Sequence, residues 1–263
     1  MKKWKPLFWL MLLALLLFPR PLPTQAQSPE FITVNHVAAT PGEDSLGLDV
    51  FFTITDGNGR PLRDANIESA SIQLIGGANE PVPASVSDPQ TPVYIALLID
   101  GSGSMQNTIG SVRQAAQAAI DSAPPNAYFA VIQFNETLNV IEDFTNDHTR
   151  VKAALSTVAS VPNRGTCLYD AVYDAIGRLD QRIQNQQERR AIILFTDGKD
   201  QLVVGDDTPC SRFTYNDVIG AARPSNLTAP LTPIHTIGLY DNTQNNLNES
   251  ELRGLATETD AYS

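Results

Sequence analysis

The spacing of hydrophobic and polar positions changes near residue 92. Before that point, apolar residues alternate with polar ones or form short runs between turn residues, which is the pattern of β-strands. The predicted strands cover residues 31–37, 48–55, 71–75 and 82–86. Between the second and third of these, Asp56-Gly57-Asn58-Gly59 has the composition of a hairpin turn and lacks the later acidic ligand of a calcium loop. Residues 27–90 are therefore predicted to form a small, sandwich-like all-β module.

Beyond residue 92, continuous apolar runs alternate with stretches whose apolar residues recur every three or four positions. The runs predict buried strands at 93–99, 128–134, 138–141, 191–195 and 234–239. The stretches predict helices within 109–120, 151–158, 168–183, 216–222 and 249–257. Repeated strand–helix–strand units indicate an α/β fold with a doubly wound, mostly parallel sheet and helices on both faces.

The first 26 residues have the features of a signal peptide. Lys2, Lys3 and Lys5 precede an unbroken run of 12 apolar residues, 7–18, and small residues near Thr24 and Ala26 provide a cleavage site. A run of 12 is shorter than the roughly 20 residues that a transmembrane helix needs. We predict a secreted or extracytoplasmic protein with no transmembrane segment beyond the signal peptide.

The charge of the chain excludes one class of partner. The sequence has 18 basic and 29 acidic residues, a net charge of −11 at neutral pH. A body this acidic repels phosphate backbones, so nucleic-acid binding is not expected. The same charge suits a protein that recruits cations.

Two predicted strands end in an aspartate. Residues 93–99 lead into Asp100-Gly101-Ser102-Gly103-Ser104, and residues 191–195 lead into Thr196-Asp197-Gly198. Ligands of open α/β sheets bind beyond the carboxyl ends of the strands, so both carboxylates lie where a site is expected. Thr166 precedes the strongest helical stretch and offers a further hydroxyl. Two carboxylates and three hydroxyls are a ligand set that suits a small, hard cation such as Mg²⁺.

These residues resemble the metal-ion-dependent adhesion site (MIDAS) of von Willebrand factor type A (VWA) domains. The order Asp-x-Ser-x-Ser, then threonine, then Asp-Gly matches Asp100, Ser102, Ser104, Thr166 and Asp197. The resemblance covers residues 91–263 and implies a Rossmann-like VWA fold, here without its last strand and helix. It implies a complete metal site in which the hydroxyls ligate directly and the aspartates act through water. Mg²⁺ is the expected cation, with Mn²⁺ or Ca²⁺ as alternatives.

The resemblance also implies a function. A VWA domain of this kind is an adhesion module that binds a protein ligand, which supplies Asp or Glu to the bound cation, and it is not an enzyme. One alternative is a structural scaffold whose metal site is vestigial or only stabilises the fold. A weaker alternative is a metal-dependent hydrolase with Asp100 as nucleophile. Arg164 departs from the family pattern, because it replaces a glycine that often precedes the threonine.

The remaining candidate residues flank this site. Cys167 and Cys210 are the only cysteines, and after export they are expected either to form a disulfide that stiffens the threonine loop or to stay as buried thiols. His36, His148 and His235 are far apart in sequence, so zinc is not expected. The acidic stretch with Asp200, Asp206 and Asp207 is interpreted as a solvated loop rather than a second cation site.

Overall fold

The structure is a computed structural model that describes residues 31–58, 62, 67–73, 80–87, 90–183, 188–203, 208–224, 231–240 and 248–261. The chain divides into two compact units, one of Met1–Thr33 with Phe52–Ala84 and one of Val34–Phe51 with Ser85–Ser263. The predicted signal peptide lies outside the described residues. The predicted domain limits, 27–90 and 91–263, stay predictions.

Strands precede the α/β part, as the alternating pattern predicts. They are β1 (Phe31–Pro41), β2 (Leu46–Thr55), β3 (Ala70–Ile72) and β4 (Val82–Ala84). β1 and β2 form one two-stranded sheet, and β3 pairs antiparallel with β4. After β2 the chain turns: the Asn58 amide donates to Asp56 Oδ1 at 2.9 Å and the Leu62 amide to the Ile54 carbonyl at 2.8 Å. These strands are consistent with a small β module.

Strands and helices then alternate around one central sheet. In chain order the elements are β5 (Val93–Asp100), α1 (Ile109–Ser122), β6 (Ala127–Phe134), β7 (Leu138–Thr145), α2 (His148–Thr157), α3 (Leu168–Arg182), β8 (Arg189–Thr196), α4 (Tyr215–Ala222), β9 (Ile234–Gly238) and α5 (Glu249–Glu258). The strand order is β7-β6-β5-β8-β9. Only β7 runs antiparallel to its neighbour within this sheet. The predicted mostly parallel α/β fold is confirmed.

The middle strands are apolar throughout because both faces of the sheet are covered. In β5, Ala96 and Leu98 pack in one buried cluster with residues of α3, α4 and α5. Leu97 and Ile99 point to the opposite face and pack in a second cluster with residues of α1 and α2. Helices therefore lie on both faces of the sheet, and the carboxyl ends of β5 and β8 stay clear for loops.

The edge strand β7 is longer than the sequence pattern predicts. Its hydrophobic run ends at Ile141, but the strand continues to Thr145. Glu142 and Asp143 continue the strand, and they form ion pairs with Arg150 at 2.6 Å and with Arg182 at 2.5 Å. An edge strand tolerates such charges, which is why hydrophobicity alone gives too short a strand.

None of the helices in the described residues is long and apolar enough to cross a membrane.

The partly buried His235 of β9 gives the fold a pH dependence. Burial lowers its pKa below the ordinary value of 6.5, so the unfolded chain binds a proton more readily than the folded chain. As the pH falls below 6.5, the free energy of unfolding should therefore decrease, by at most about 1.4 kcal/mol per pH unit for one proton. We expect His235→Gln to reduce this slope in urea unfolding between neutral pH and about pH 5.5. An equal slope in the variant and the wild type would contradict this prediction.

Candidate metal centre

The Asp-x-Ser-x-Ser loop begins on the last residue of β5. Asp100 is fully buried, and its Oδ1 accepts a hydrogen bond from the Ser102 amide at 2.8 Å. This bond turns the chain away from the sheet and into a short 3-10 helix, Gly103–Asn107. As a result, the hydroxyls of Ser102 and Ser104 lie 3.0 Å apart. The alternating residues bring their oxygens to one place, as the spacing predicts.

Asp197 meets this loop from the end of the neighbouring strand β8. The hydroxyl of Ser104 donates to Asp197 Oδ1 at 2.8 Å. In the reverse direction, the hydroxyl of Thr196 donates to Asp100 Oδ2 at 2.7 Å. Each carboxylate is therefore held by a side chain from the other strand end. Thr196 was not among the predicted site residues, because its role follows from the register of β5 and β8 rather than from a local motif.

Thr166 arrives on a third loop that pairs with the chain after β8. Its amide donates to the Gln201 carbonyl at 2.8 Å, and the Gln201 amide donates back at 3.0 Å. A Cβ atom at Gly198 would lie 3.6 Å from Thr166 Oγ1 and 4.0 Å from Asp100 Oδ2. The structure thus brings all five predicted residues together, and none of them is more than 6% exposed.

The glycines around the site are needed for close approach between loops. A Cβ at Gly101 would collide with the side-chain amide of Gln133, and one at Gly165 would collide with the carbonyls of Gln201 and Leu202. Glycines between the alternating residues Asp100, Ser102 and Ser104 relieve crowding within their own turn. The structure shows that Gly101 also makes room for the neighbouring strand, and that the backbone of Gly103 approaches Asn163.

Arg164 does not extend freely beside the site. Its guanidinium Nη1 donates to Glu136 Oε2 at 2.8 Å, and the other oxygen of Glu136 accepts the Gly165 amide at 2.9 Å. These bonds hold the pKa of Glu136 below its usual range, with the Gly165 amide the larger cause. Glu136 has no sequence signal of its own, since it lies in the turn between β6 and β7, 28 residues before Arg164.

A disulfide and one carboxylate fix the base of the threonine loop. Cys167 is bonded to Cys210, so the first of the two expected alternatives is the one observed. Asp200 accepts hydrogen bonds from the Leu168 amide at the start of α3 and from the amides of Cys210 and Ser211. Asp200 is half-buried and is more than a solvated loop residue, because its carboxylate also accepts these backbone donors; the interpretation that this stretch is not a second cation site stays a prediction. Asp206 and Asp207 lie outside the described residues.

The two buried carboxylates make the site electrostatically favourable for a cation. Desolvation raises the pKa of Asp100 to about 6. Hydrogen bonds from Thr196 and Ser102 oppose this shift, and the charge of Asp197 adds to it. Two buried carboxylates that repel each other are a setting in which a cation would be favoured.

The donor chemistry fits a hard cation better than zinc. Among the described residues there is no group of three or more His, Cys, Asp or Glu side chains that could hold a metal ion. A cation at this place would therefore depend on the hydroxyls of Ser102, Ser104 and Thr166 beside the two carboxylates. An all-oxygen set of this kind matches the preference of Mg²⁺ and Mn²⁺.

The disulfide should stabilise the fold measurably. It joins residues 43 positions apart, and closing a loop of this length restricts the unfolded chain. We expect the double variant Cys167→Ser, Cys210→Ser to lose about 2–4 kcal/mol of unfolding free energy in guanidinium denaturation. Wild type treated with a reductant should behave like the variant, whereas equal stability of the oxidised wild type and the variant would refute the prediction.

The segment that contains this site matches a known protein family. Residues 95–199 match the family model of the von Willebrand factor type A domain. No curated protein matches the chain. The matched segment spans all five oxygen-bearing residues, from Asp100 to Asp197.

Several solved structures match this chain at low sequence identity. BatB from Bacteroides thetaiotaomicron is 17% identical over 65% of this chain and 88% of that chain, with a TM-score of 0.48. A von Willebrand factor type A protein from Catenulispora acidiphila is 18% identical over 90% of this chain and 46% of that chain, with a TM-score of 0.49. The vWF domain of the type V pili tip protein Mfa5 from Porphyromonas gingivalis is 15% identical over 65% and 88%, with a TM-score of 0.48. The family-model match, together with the observed sheet, supports a von Willebrand factor type A domain that includes residues 95–199.

Proposed function

We propose that this chain is an exported protein-binding module that recognises an acidic side chain of a partner through a bound divalent cation. The observation that carries the proposal is the convergence of five buried oxygen-bearing side chains from three separate loops. Ser102, Ser104 and Thr166 would ligate the cation directly. Mg²⁺ bound there would offer an open coordination position to a carboxylate.

The two aspartates suit an outer role in such a site. Both oxygens of Asp100 already accept hydrogen bonds, from the Ser102 amide and the Thr196 hydroxyl. Asp100 would therefore contribute charge and orient ligands, while Asp197 would hold the Ser104 hydroxyl in place. The two carboxylates would neutralise the charge of a bound dication. The three hydroxyls would fill only part of its coordination sphere, which has six positions for Mg²⁺. An additional carboxylate from a partner could then complete it.

A hydrolase is the weaker alternative. A nucleophilic carboxylate needs an oxygen that the substrate can reach, but Asp100 is fully buried and both its oxygens are engaged. The proposal is therefore a binding module without turnover. The disulfide near the site supports export to an oxidising compartment.

A scaffold protein is the second candidate, and one observation favours it. The hydroxyls of Ser102 and Ser104 contact each other, and Ser104 donates to Asp197. These side chains are thus satisfied within the protein without a cation. In a scaffold the same contacts would only tie the strand ends together, and a metal would add stability without creating a binding surface.

Metal binding should depend on Asp197. We expect Mg²⁺ at 100 times its dissociation constant to raise the unfolding free energy of wild type by about 2.7 kcal/mol, as followed by calorimetry and thermal melting. Asp197→Ala should abolish this response because it removes one of two charges at the site. Ser156→Ala is the matched control, since its exposed hydroxyl only contacts the Ala153 carbonyl. A response that is the same in all three proteins would contradict the metal site.

Partner binding should require both the cation and an acidic side chain. We expect a bead-displayed peptide library, screened in Mg²⁺, to give binders that contain Asp or Glu and that are released by EDTA. Replacing the acidic residue of a binder by Asn or Gln should abolish binding, because an amide oxygen is a weaker ligand for a hard cation. Metal-induced stabilisation with no cation-dependent binder would favour the scaffold instead.

A further inference from the structure

Glu136 connects the β6–β7 turn to the loop that carries Thr166. Its two carboxylate oxygens are used separately, one for the Gly165 amide at 2.9 Å and one for the guanidinium of Arg164 at 2.8 Å. Gly165 directly precedes Thr166. The carboxylate therefore binds the side chain of Arg164 and the backbone of Gly165, the two residues that precede the proposed metal ligand Thr166.

The turn that presents Glu136 is held in place by its neighbours. The side chain of Asn135 accepts the amide of Thr137 at 2.8 Å and its hydroxyl at 3.1 Å. The carbonyl of Asn135 accepts the amide of Cys167 at 2.9 Å, on the far side of Thr166. The threonine loop is thus bonded to the same turn both before and after Thr166, and Glu136 supplies the contacts on the Arg164 side.

Arg164 introduces a positive charge close to a site that needs negative charge. Its carbonyl accepts the amide of Gly103 at 3.3 Å, so its backbone touches the Asp-x-Ser-x-Ser loop itself. The guanidinium is half-exposed and paired with Glu136. Arg164 lies two residues before Thr166, so without Glu136 as its partner an unpaired positive charge would be carried on the threonine loop and would disfavour a dication.

We propose that Glu136 is a positioning residue of the metal centre: it binds the Gly165 amide and the Arg164 guanidinium of the threonine loop, offsets the charge of Arg164, and so raises the cation affinity of the site. The inference rests on the proposed function, because it assumes that the five oxygen-bearing residues bind a divalent cation. The ion pair is partly exposed and is not expected to contribute much to stability. Its effect is on metal affinity. Direct hydrogen-bond partners of metal ligands commonly change that affinity about 10–100-fold, and Glu136, which is one residue further from the cation, should act at the lower end of that range.

The chain offers variants that separate charge from structure. Glu136→Gln keeps the length of the side chain and an oxygen for the Gly165 amide but leaves the guanidinium without a counter-charge. Arg164→Gln removes the guanidinium. The double variant removes both charges. Glu142→Gln is the control, because Glu142 lies on the same hairpin and loses an equivalent ion pair with Arg150, at 2.6 Å, that does not involve the site loops.

The experiment is a magnesium titration of wild type and these four variants by calorimetry, with thermal melting in EDTA. We expect Glu136→Gln to weaken Mg²⁺ binding about tenfold, Arg164→Gln not to weaken it, and the double variant to regain most of the loss. Glu142→Gln should bind like wild type. The difference between Glu136→Gln and wild type should shrink in high salt, and all five proteins should melt within a few degrees of one another without metal.

Two results would overturn the inference alone. If wild type binds Mg²⁺ and Glu136→Gln binds equally well, Glu136 does not act on the site. If Glu136→Gln and the double variant are equally weak, the charge of Arg164 is not the cause. Arg164→Gln keeps the inference testable even if Glu136→Gln does not fold. If Arg164→Gln binds Mg²⁺ more weakly than wild type, the charge of Arg164 does not oppose cation binding and the inference is overturned. If wild type binds no Mg²⁺, the proposed function fails and the inference fails with it.

Discussion

The burial of two carboxylates at the ends of adjacent parallel strands is the constraint on which the rest of the site depends. Asp100 and Asp197 are withdrawn from water, and buried carboxylates are costly unless hydrogen-bond donors surround them. Each receives a donor from the opposite strand end, Thr196 for Asp100 and Ser104 for Asp197. This exchange works only in one register, in which Ile99 is paired with Phe195. The apolar packing of β5 and β8 between two helical layers fixes that register.

The third loop is attached to this pair of strands by several constraints of different kinds, one of them covalent. Thr166 pairs with Gln201, Cys167 is bonded to Cys210, and Glu136 binds the loop on its other side. A loop is intrinsically the most mobile part of a fold, and a ligand hydroxyl must be held to within a fraction of an ångström to be useful. Distributing the attachment over backbone, disulfide and ion pair reconciles these demands.

Much of the site was predictable because most of its residues form short sequence motifs or directly follow a predicted strand. Asp100, Ser102 and Ser104 are close in sequence, and strand runs followed by aspartate predict where Asp100 and Asp197 must lie. Thr196, Glu136 and Asp200 were not predicted as site-supporting residues because their roles come from contacts between distant segments. A serine or threonine at a strand end and a glutamate in a hairpin turn have many ordinary explanations, and only the fold distinguishes them. The length of β7 also depends on the fold, because a strand at the edge of the sheet tolerates charged residues at which a hydrophobic pattern predicts its end.

The charged edge of the sheet has a consequence for how the protein behaves at high concentration. Glu142 and Asp143 lie in β7 with their partners Arg150 and Arg182. Charged side chains on an edge strand disfavour its pairing with a strand of another molecule. Copies crowded together at high concentration would thus be less prone to join sheet to sheet along this edge. Self-association would have to use another surface, and the loops at the carboxyl ends of β5 and β8 would stay available.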